Sequence, residues 1–400
     1  VVVYAFPIDG DHEGGGMRNS ETRILTTHAG SLPRPGELRR LLAAGEAGAG
    51  DELDQAIESA TVEALDKQLA AGLDVVNDGE MGRESFFTYV RYRMTGFGGH
   101  SDRKLMADMT MYEGYRKKLL SMTTEENRVS LMKAPKAVAP VSYRDSAAID
   151  RECARINGLL RQRNVAEAFM TAPSPGIIAA AMQNDHYPDI ESYIDALATA
   201  LSVEYHAIVD AGLLLQIDAP DLAMERHALF QGQPVEAFLK FANCVMAAIN
   251  RALADIPRDR VRLHVCWGNY EGPHVFDVPL EEIWPTIAQA RAQGLLLSMA
   301  NPRHEHEYHC FEEFDLPTDG ILIAGVIDTT TNYVEHPRTV ADRIRRIAGA
   351  VGDPTRIIAG TDCGFETAAG FVAVDEQITW DKLEALAEGA ALASQTLFVR

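Results

Sequence analysis

Arg262-Leu263-His264-Val265-Cys266-Trp267 is a short apolar run that carries metal-ligand side chains at its C-terminal end. Its length and apolar content read as a β-strand, and the amphipathic stretch 235–253 just before it reads as a helix. The same pairing recurs along the chain. Candidate strands at 24–27, 74–77, 167–171, 213–218, 261–266, 295–299, 321–325 and 356–361 alternate with helical stretches such as 51–71 and 190–211. A βαβα alternation implies a parallel sheet with helical crossovers. Eight such strands predict an α/β fold, a single (β/α)₈ TIM barrel, with its functional loops after the strand ends. A doubly wound open sheet is the alternative, but no G-x-G-x-x-G opens a helix after a strand.

The run Lys136–Tyr143 breaks the alternation and reads as half of an inserted hairpin within the irregular segment 100–165. That insertion is a candidate lid, or a contact surface in a homo-oligomer. Residues 1–16 differ from the rest: Val1 to Ile8 is apolar and Asp9 to Gly16 is polar and glycine-rich. They read as an upstream extension with no basic n-region, and 17–400 as one barrel domain.

The formal charge of -21 over 400 residues argues against a nucleic-acid partner, which needs a clustered cationic surface. No apolar run approaches the roughly 20 residues of a membrane span. Five widely spaced cysteines fit a reducing, cytoplasmic setting with thiols available to a metal.

The polar residues fall where a barrel places its chemistry. His28 and Ser31 follow the first strand, and Asp78, Glu80 and Arg83 the second. Asp218 and Asp221 follow the 213–218 strand, and Asp362 and Cys363 close the last, in Thr361-Asp362-Cys363-Gly364. Residues two apart on a strand point to the same side, so His264 and Cys266 can close on one ion. Imidazole and thiolate together suit Zn²⁺, and Cys363 is a candidate second sulfur. Three protein ligands leave one position open, as in a catalytic site. The plain alternative is a pair of buried cysteines and a hydrogen-bonded core histidine.

The motifs Thr26-Thr27-His28-Ala29-Gly30-Ser31-Leu32-Pro33, Asn77-Asp78-Gly79-Glu80, Leu215-Gln216-Ile217-Asp218, His264-Val265-Cys266 and Gly360-Thr361-Asp362-Cys363-Gly364 carry a family resemblance. From about Arg23 to Arg400 the chain resembles the catalytic C-terminal barrel of cobalamin-independent methionine synthase. Asn301-Pro302-Arg303-His304-Glu305-His306-Glu307 is similar to the epoxyalkane:coenzyme M transferase-like branch of that superfamily. The resemblance implies a zinc bound by His264, Cys266 and Cys363, which activates a small-molecule thiol acceptor for attack on a methyl or alkyl donor. It implies catalytic roles for Asp218 and Asp328, and substrate contacts from His28, Ser31, Glu80, Asp218, Asn301 and Arg303. For a sulfonate-bearing acceptor, Arg83, Arg91 and Arg303 are the candidate cations.

Three positions depart from the synthase pattern. Ser298 stands where a glutamate zinc ligand is expected, leaving His304, Glu305 and His306 as nearby candidates for a fourth ligand. The folate-stacking tryptophan is absent from Thr171-Ala172-Pro173-Ser174-Pro175-Gly176, and Thr330 stands where a protonating histidine is expected. Two other classes stay open: a zinc hydrolase or lyase with water in the open position, and a binding homologue without turnover.

Overall fold

The computed structural model describes residues 16–45, 50–121, 129, 131 and 134–399; of the expected extension, 1–15 lie outside the described residues. The expected strands are all present: β1 (Leu25–Thr26), β2 (Val75–Val76), β5 (Glu167–Pro173), β6 (Leu214–Asp218), β7 (Val261–Val265), β8 (Gly294–Ser298), β9 (Ile321–Ile327) and β10 (Ile357–Thr361). They form one parallel sheet in the order β1-β10-β9-β8-β7-β6-β5-β2, a nearly closed eight-stranded barrel. The seam between β1 and β2 is bridged by single bonds: Asp74 N–H donates to Thr26 O at 3.1 Å and Thr27 Oγ1 to Val75 O at 3.0 Å.

The remaining strands, β3 (Met94–Gly98) and β4 (Lys136–Tyr143), pair antiparallel outside the barrel. The expected half-hairpin at Lys136–Tyr143 therefore has its partner just before the segment 100–165. β4 packs on the helix Ile190–Asp210, where Tyr143 donates its hydroxyl to buried Glu204 at 2.5 Å. That helix is capped by Asp189, whose carboxylate accepts the Ser192 N–H at 2.7 Å. Ile194, Leu197, Leu201, Tyr205 and Ile208, three or four residues apart, give it one buried face.

Two apolar layers hold the barrel. The larger lies between sheet and helices, and a smaller one inside the barrel includes Leu25, Val75, Phe169, Leu214, Leu296, Ile323 and Ile358. Each such side chain contributes about 1.5–3 kcal/mol on burial. Toward the C-terminal rim the interior turns polar. Arg262 is fully buried over the Phe169 ring and donates to Thr27 Oγ1 at 3.2 Å and His28 O at 3.1 Å. One face of β6 and β7 thus carries Gln216, Asp218, Arg262 and His264, in the alternation that a strand requires. Among the described residues no helix is long and apolar enough to cross a membrane.

Candidate metal centre and acceptor pocket

His264 is the penultimate residue of β7 with Cys266 just beyond the strand, and Cys363 lies just beyond β10. The pairing of β10 with β9 shifts register between Gly360 and Thr361. Such an irregularity re-aims the chain at a barrel rim. One ligand atom from each of His264, Cys266 and Cys363 falls within 4.8 Å of the others, and all three residues are buried. The two sulfurs are 4.0 Å apart. Zinc–sulfur bonds of about 2.3 Å in tetrahedral geometry place two sulfurs about 3.8 Å apart, so the donor set and its spacing fit zinc.

His264 Nδ1 faces Asp218 Oδ1 at 3.0 Å, and Asp218 Oδ1 also accepts from Gln216 Nε2 at 2.9 Å. Burial opposes charge on His264, but Asp218 and Cys266 outweigh it and raise the ring to about 10. A hydrogen bond from Cys363 holds the Cys266 thiol well below its ordinary value, against burial and with help from His264; that bond and burial push Cys363 up. The pair is therefore polarised toward a thiolate at Cys266.

Asp362 braces the rim beside it. Its Oδ1 accepts the Met299 and Ala300 N–H groups at 2.8 and 2.9 Å, and its Oδ2 the Asn301 N–H at 2.7 Å. Burial and the nearby charge of Asp328 raise this carboxyl to about 7. Ser298 donates its hydroxyl to Asp362 O, the carbonyl that His264 Nε2 faces at 3.2 Å. Asn301 is thus bound through its backbone, and its Oδ1 caps the N–H of exposed Arg303 at 2.9 Å. His304, considered above as a fourth ligand, instead faces Asp277 and Glu307.

The candidate acceptor side is built on the loops after β1 and β2. Glu80 sits at φ 59, in the left-handed region, directly after Gly79 at φ 68. Two successive left-handed residues turn the carboxylate inward, at a backbone cost that non-glycine residues seldom bear. Its Oε1 accepts from Thr171 Oγ1 at 2.9 Å and lies so close to Gly30 that a Cβ there would sit 2.8 Å away. Its Oε2 is buried with no hydrogen-bond partner. Burial first, then the charge of Asp218, raises Glu80 to about 7.

His28 is fully buried, with Nε2 on Gln68 Oε1 at 2.8 Å and Nδ1 accepting the Gly30 N–H at 3.2 Å. Burial lowers it to about 4, so it is a neutral ring holding the loop. Ser31 lies against Gly364, where a Cβ would come within 2.0 Å of its hydroxyl, and Ser31 O accepts the Phe365 N–H at 2.8 Å. Asp328, at the end of β9, accepts from both Thr330 N and Thr330 Oγ1 at 2.7 Å. Sequence reasoning missed Lys382, which is fully buried and donates to Asp328 O at 3.0 Å and Glu335 Oε2 at 2.9 Å. The only local signal was a lysine on an otherwise buried helix face.

The candidate sulfonate cations are engaged elsewhere: Arg83 with Glu152 and Thr171, Arg91 with Glu84. Asp221 accepts from Ser174 Oγ beneath the rim and is raised to about 7 by burial.

Comparison with known proteins places this geometry in context. A methionine synthase of Saccharolobus solfataricus is 24% identical over 379 residues, covering 94% of this chain and 96% of that protein. One from Sulfurisphaera tokodaii is 23% identical, covering 94% of each. Among solved structures, the B12-independent methionine synthase from Shewanella sp. W3-18-1, in complex with selenomethionine, superposes with a TM-score of 0.71 at 23% identity, covering 94% of this chain and 99% of that one. A putative vitamin-B12-independent methionine synthase from Listeria monocytogenes gives 0.61 at 19% identity, covering 92% and 98%. These two share the barrel. The family described as the catalytic domain of cobalamin-independent synthase matches residues 24–379, which include the His264, Cys266 and Cys363 triad and both loops of the candidate acceptor pocket. On that match, this chain belongs to the cobalamin-independent synthase catalytic-domain family.

Proposed function

We propose that this protein is a zinc-dependent transferase that moves a methyl or alkyl group onto the sulfur of a small aminothiol of the homocysteine type. The observation that carries the reading is the pair of neighbouring carboxylates, Glu80 and Asp218, beside the His264, Cys266 and Cys363 triad. Glu80 Oε2 is a buried acceptor with no partner, and such a group costs about 1–3 kcal/mol unless a ligand completes it. A substrate ammonium does so, with its own thiol directed at the ligand triad. His264, Cys266 and Cys363 would hold the zinc, whose positive charge would acidify the acceptor thiol. Asp218 orients the His264 ring through Nδ1, the arrangement that leaves Nε2 as a ligand atom.

The finer resemblance to the coenzyme M branch receives less support, because Arg83 and Arg91 already serve carboxylates and Arg303 is exposed. Water chemistry at the ion is disfavoured by two thiolates, which reduce its Lewis acidity. For the donor, the stretch Thr171 to Gly176 is buried and offers no stacking ring. A cavity of about 380 Å³, lined by Tyr112, Tyr115, Tyr270, Phe371 and Thr330, supplies aromatic surface instead. A donor with a planar group fits such a lining.

The test is zinc-edge X-ray absorption with homocysteine, coenzyme M and glutathione added in turn. The expected resting shell has two sulfurs with nitrogen and oxygen, and gains a third sulfur with homocysteine. Zinc that accepts no thiol would favour the hydrolase reading, and protein that holds no zinc would end the proposal.

A further inference from the structure

We propose that a second divalent ion of the zinc type binds this protein, held by His274, Asp277 and His304 beyond the indole of Trp267. The three ligand atoms lie within 4.8 Å of one another. His274 Nδ1 is 2.8 Å from Asp277 Oδ2, and His304 Nε2 is 2.7 Å from the same oxygen. The outer nitrogens also meet oxygens: His274 Nε2 faces Tyr270 O at 3.0 Å, and His304 Nδ1 faces Glu307 Oε1 at 3.4 Å. A neutral imidazole has one N–H, so each ring can satisfy one of its two oxygens and not both. With the protons on the outer nitrogens, both rings donate to a carbonyl or a carboxylate, as metal-bound histidines do. Their inner nitrogens then present lone pairs to Asp277 Oδ2, acceptor against acceptor. A cation there resolves the repulsion.

The donors select the ion. Two imidazoles and a carboxylate, with no sulfur, suit zinc or a similar first-row divalent ion better than copper(I) or calcium. His227 Nδ1 lies 2.6 Å from Asp277 Oδ1, on the other side of the carboxylate. His274 and His304 are almost fully buried, and their donors come from two consecutive rim loops, after β7 and after β8. The first of those loops begins at Cys266. Trp267 stacks on His304 with ring centroids 4.0 Å apart and donates Nε1–H to Val278 O at 2.7 Å. The His274 N–H is anchored to Asp108 of the inserted segment at 2.8 Å. An ion here would clip the two loops and the insertion together beside the triad, with a positioning rather than a catalytic role.

The experiment titrates metal-stripped protein with cobalt(II), followed by absorption spectroscopy and metal analysis. Wild type is expected to bind two equivalents, one of which produces a thiolate charge-transfer band. The C266S/C363S variant should bind one equivalent without that band, and added zinc should raise its melting temperature. The H274Q/H304Q variant should bind one equivalent with the band. Wild type that binds a single equivalent with the band, or a cysteine variant that neither binds cobalt nor gains thermal stability from zinc, would overturn the proposal; Asp277 would then be held by two protonated histidines. Wild type that binds one equivalent without the band would leave this site standing and remove the thiolate centre instead.

Discussion

Ser298 donates its hydroxyl to the main-chain oxygen of Asp362 across 2.9 Å, so the residue at the position expected for a glutamate ligand spends its donor on the backbone next to Cys363. It supports the ligand loop rather than completing a ligand shell. Ser298→Ala should therefore cost about 1 kcal/mol for one buried hydrogen bond while the triad keeps its zinc. Denaturant unfolding and metal analysis check the two halves. Loss of the metal from this variant would make the hydroxyl a ligand.

Removing a ligand and removing its support should differ in degree. Cys363→Ser should abolish stoichiometric zinc at the triad and thiol transfer with it. Asp218→Asn keeps a side chain near His264 Nδ1 but loses the charge, so zinc affinity should fall by about 10–100-fold. Competition against a chelator reads both.

Glu80 sets a pH dependence with a defined sign. Its carboxyl is raised to about 7 in the free protein, so near neutrality a large share is protonated and unable to take an ammonium. The KM for homocysteine should fall as pH rises through about 7 and then level off. Glu80→Gln should raise KM and erase that inflection. The same shift has a stability consequence. A carboxyl raised from 4.5 to about 7 on folding favours the folded state at acid pH, and that contribution is lost as pH climbs between those values. An unchanged KM profile in Glu80→Gln would separate this carboxylate from the acceptor.

Lys382 and Glu335 form a buried ion pair that also holds both main-chain polar groups of Asp328. Truncating one partner leaves the other charged and alone. Lys382→Ala should therefore destabilise the fold by about 3–5 kcal/mol, measured by chemical denaturation.

Gly325 on β9 leaves room for Asp362. A Cβ there would stand 2.3 Å from Asp362 Oδ1 and 2.9 Å from Leu297 O. Gly325→Ala should displace the carboxylate from the three N–H groups it serves and cost about 1–3 kcal/mol as overpacking. Weakened zinc binding should accompany that loss, in contrast with Ser298→Ala.

Much of this was legible in the chain because strands of a parallel barrel are buried on both faces. Stretches such as Leu213-Leu214-Leu215 and Ile321-Leu322-Ile323 are uniformly apolar and end abruptly in polar residues. The triad was legible for a related reason: H-x-C is a strand-period pattern, and the fold has only to bring one distant loop to it. Met94-Thr95-Gly96-Phe97-Gly98 was not recognised as a strand, since two glycines dilute a short β-signal and its partner begins about forty residues away. His304 was read through its nearness in sequence to Ser298, but its ring stacks on Trp267 and faces Asp277. No local pattern encodes that choice, because Asp277 and His304 lie on different loops. The unpartnered oxygen of Glu80 was equally invisible, being a property of what surrounds the side chain rather than of its motif.

The seam between β1 and β2 divides the rim into unequal mechanical halves. Strands β5 to β10 share continuous ladders, and two of them, β7 and β10, lead into the loops of the triad. The loops holding His28, Ser31 and Glu80 hang from two-residue strands joined by isolated bonds. Amide exchange should accordingly be fastest along that join and slowest along β7 and β8. Under the proposed function, acceptor preference could therefore drift through the first two loops without re-engineering the ion's seat.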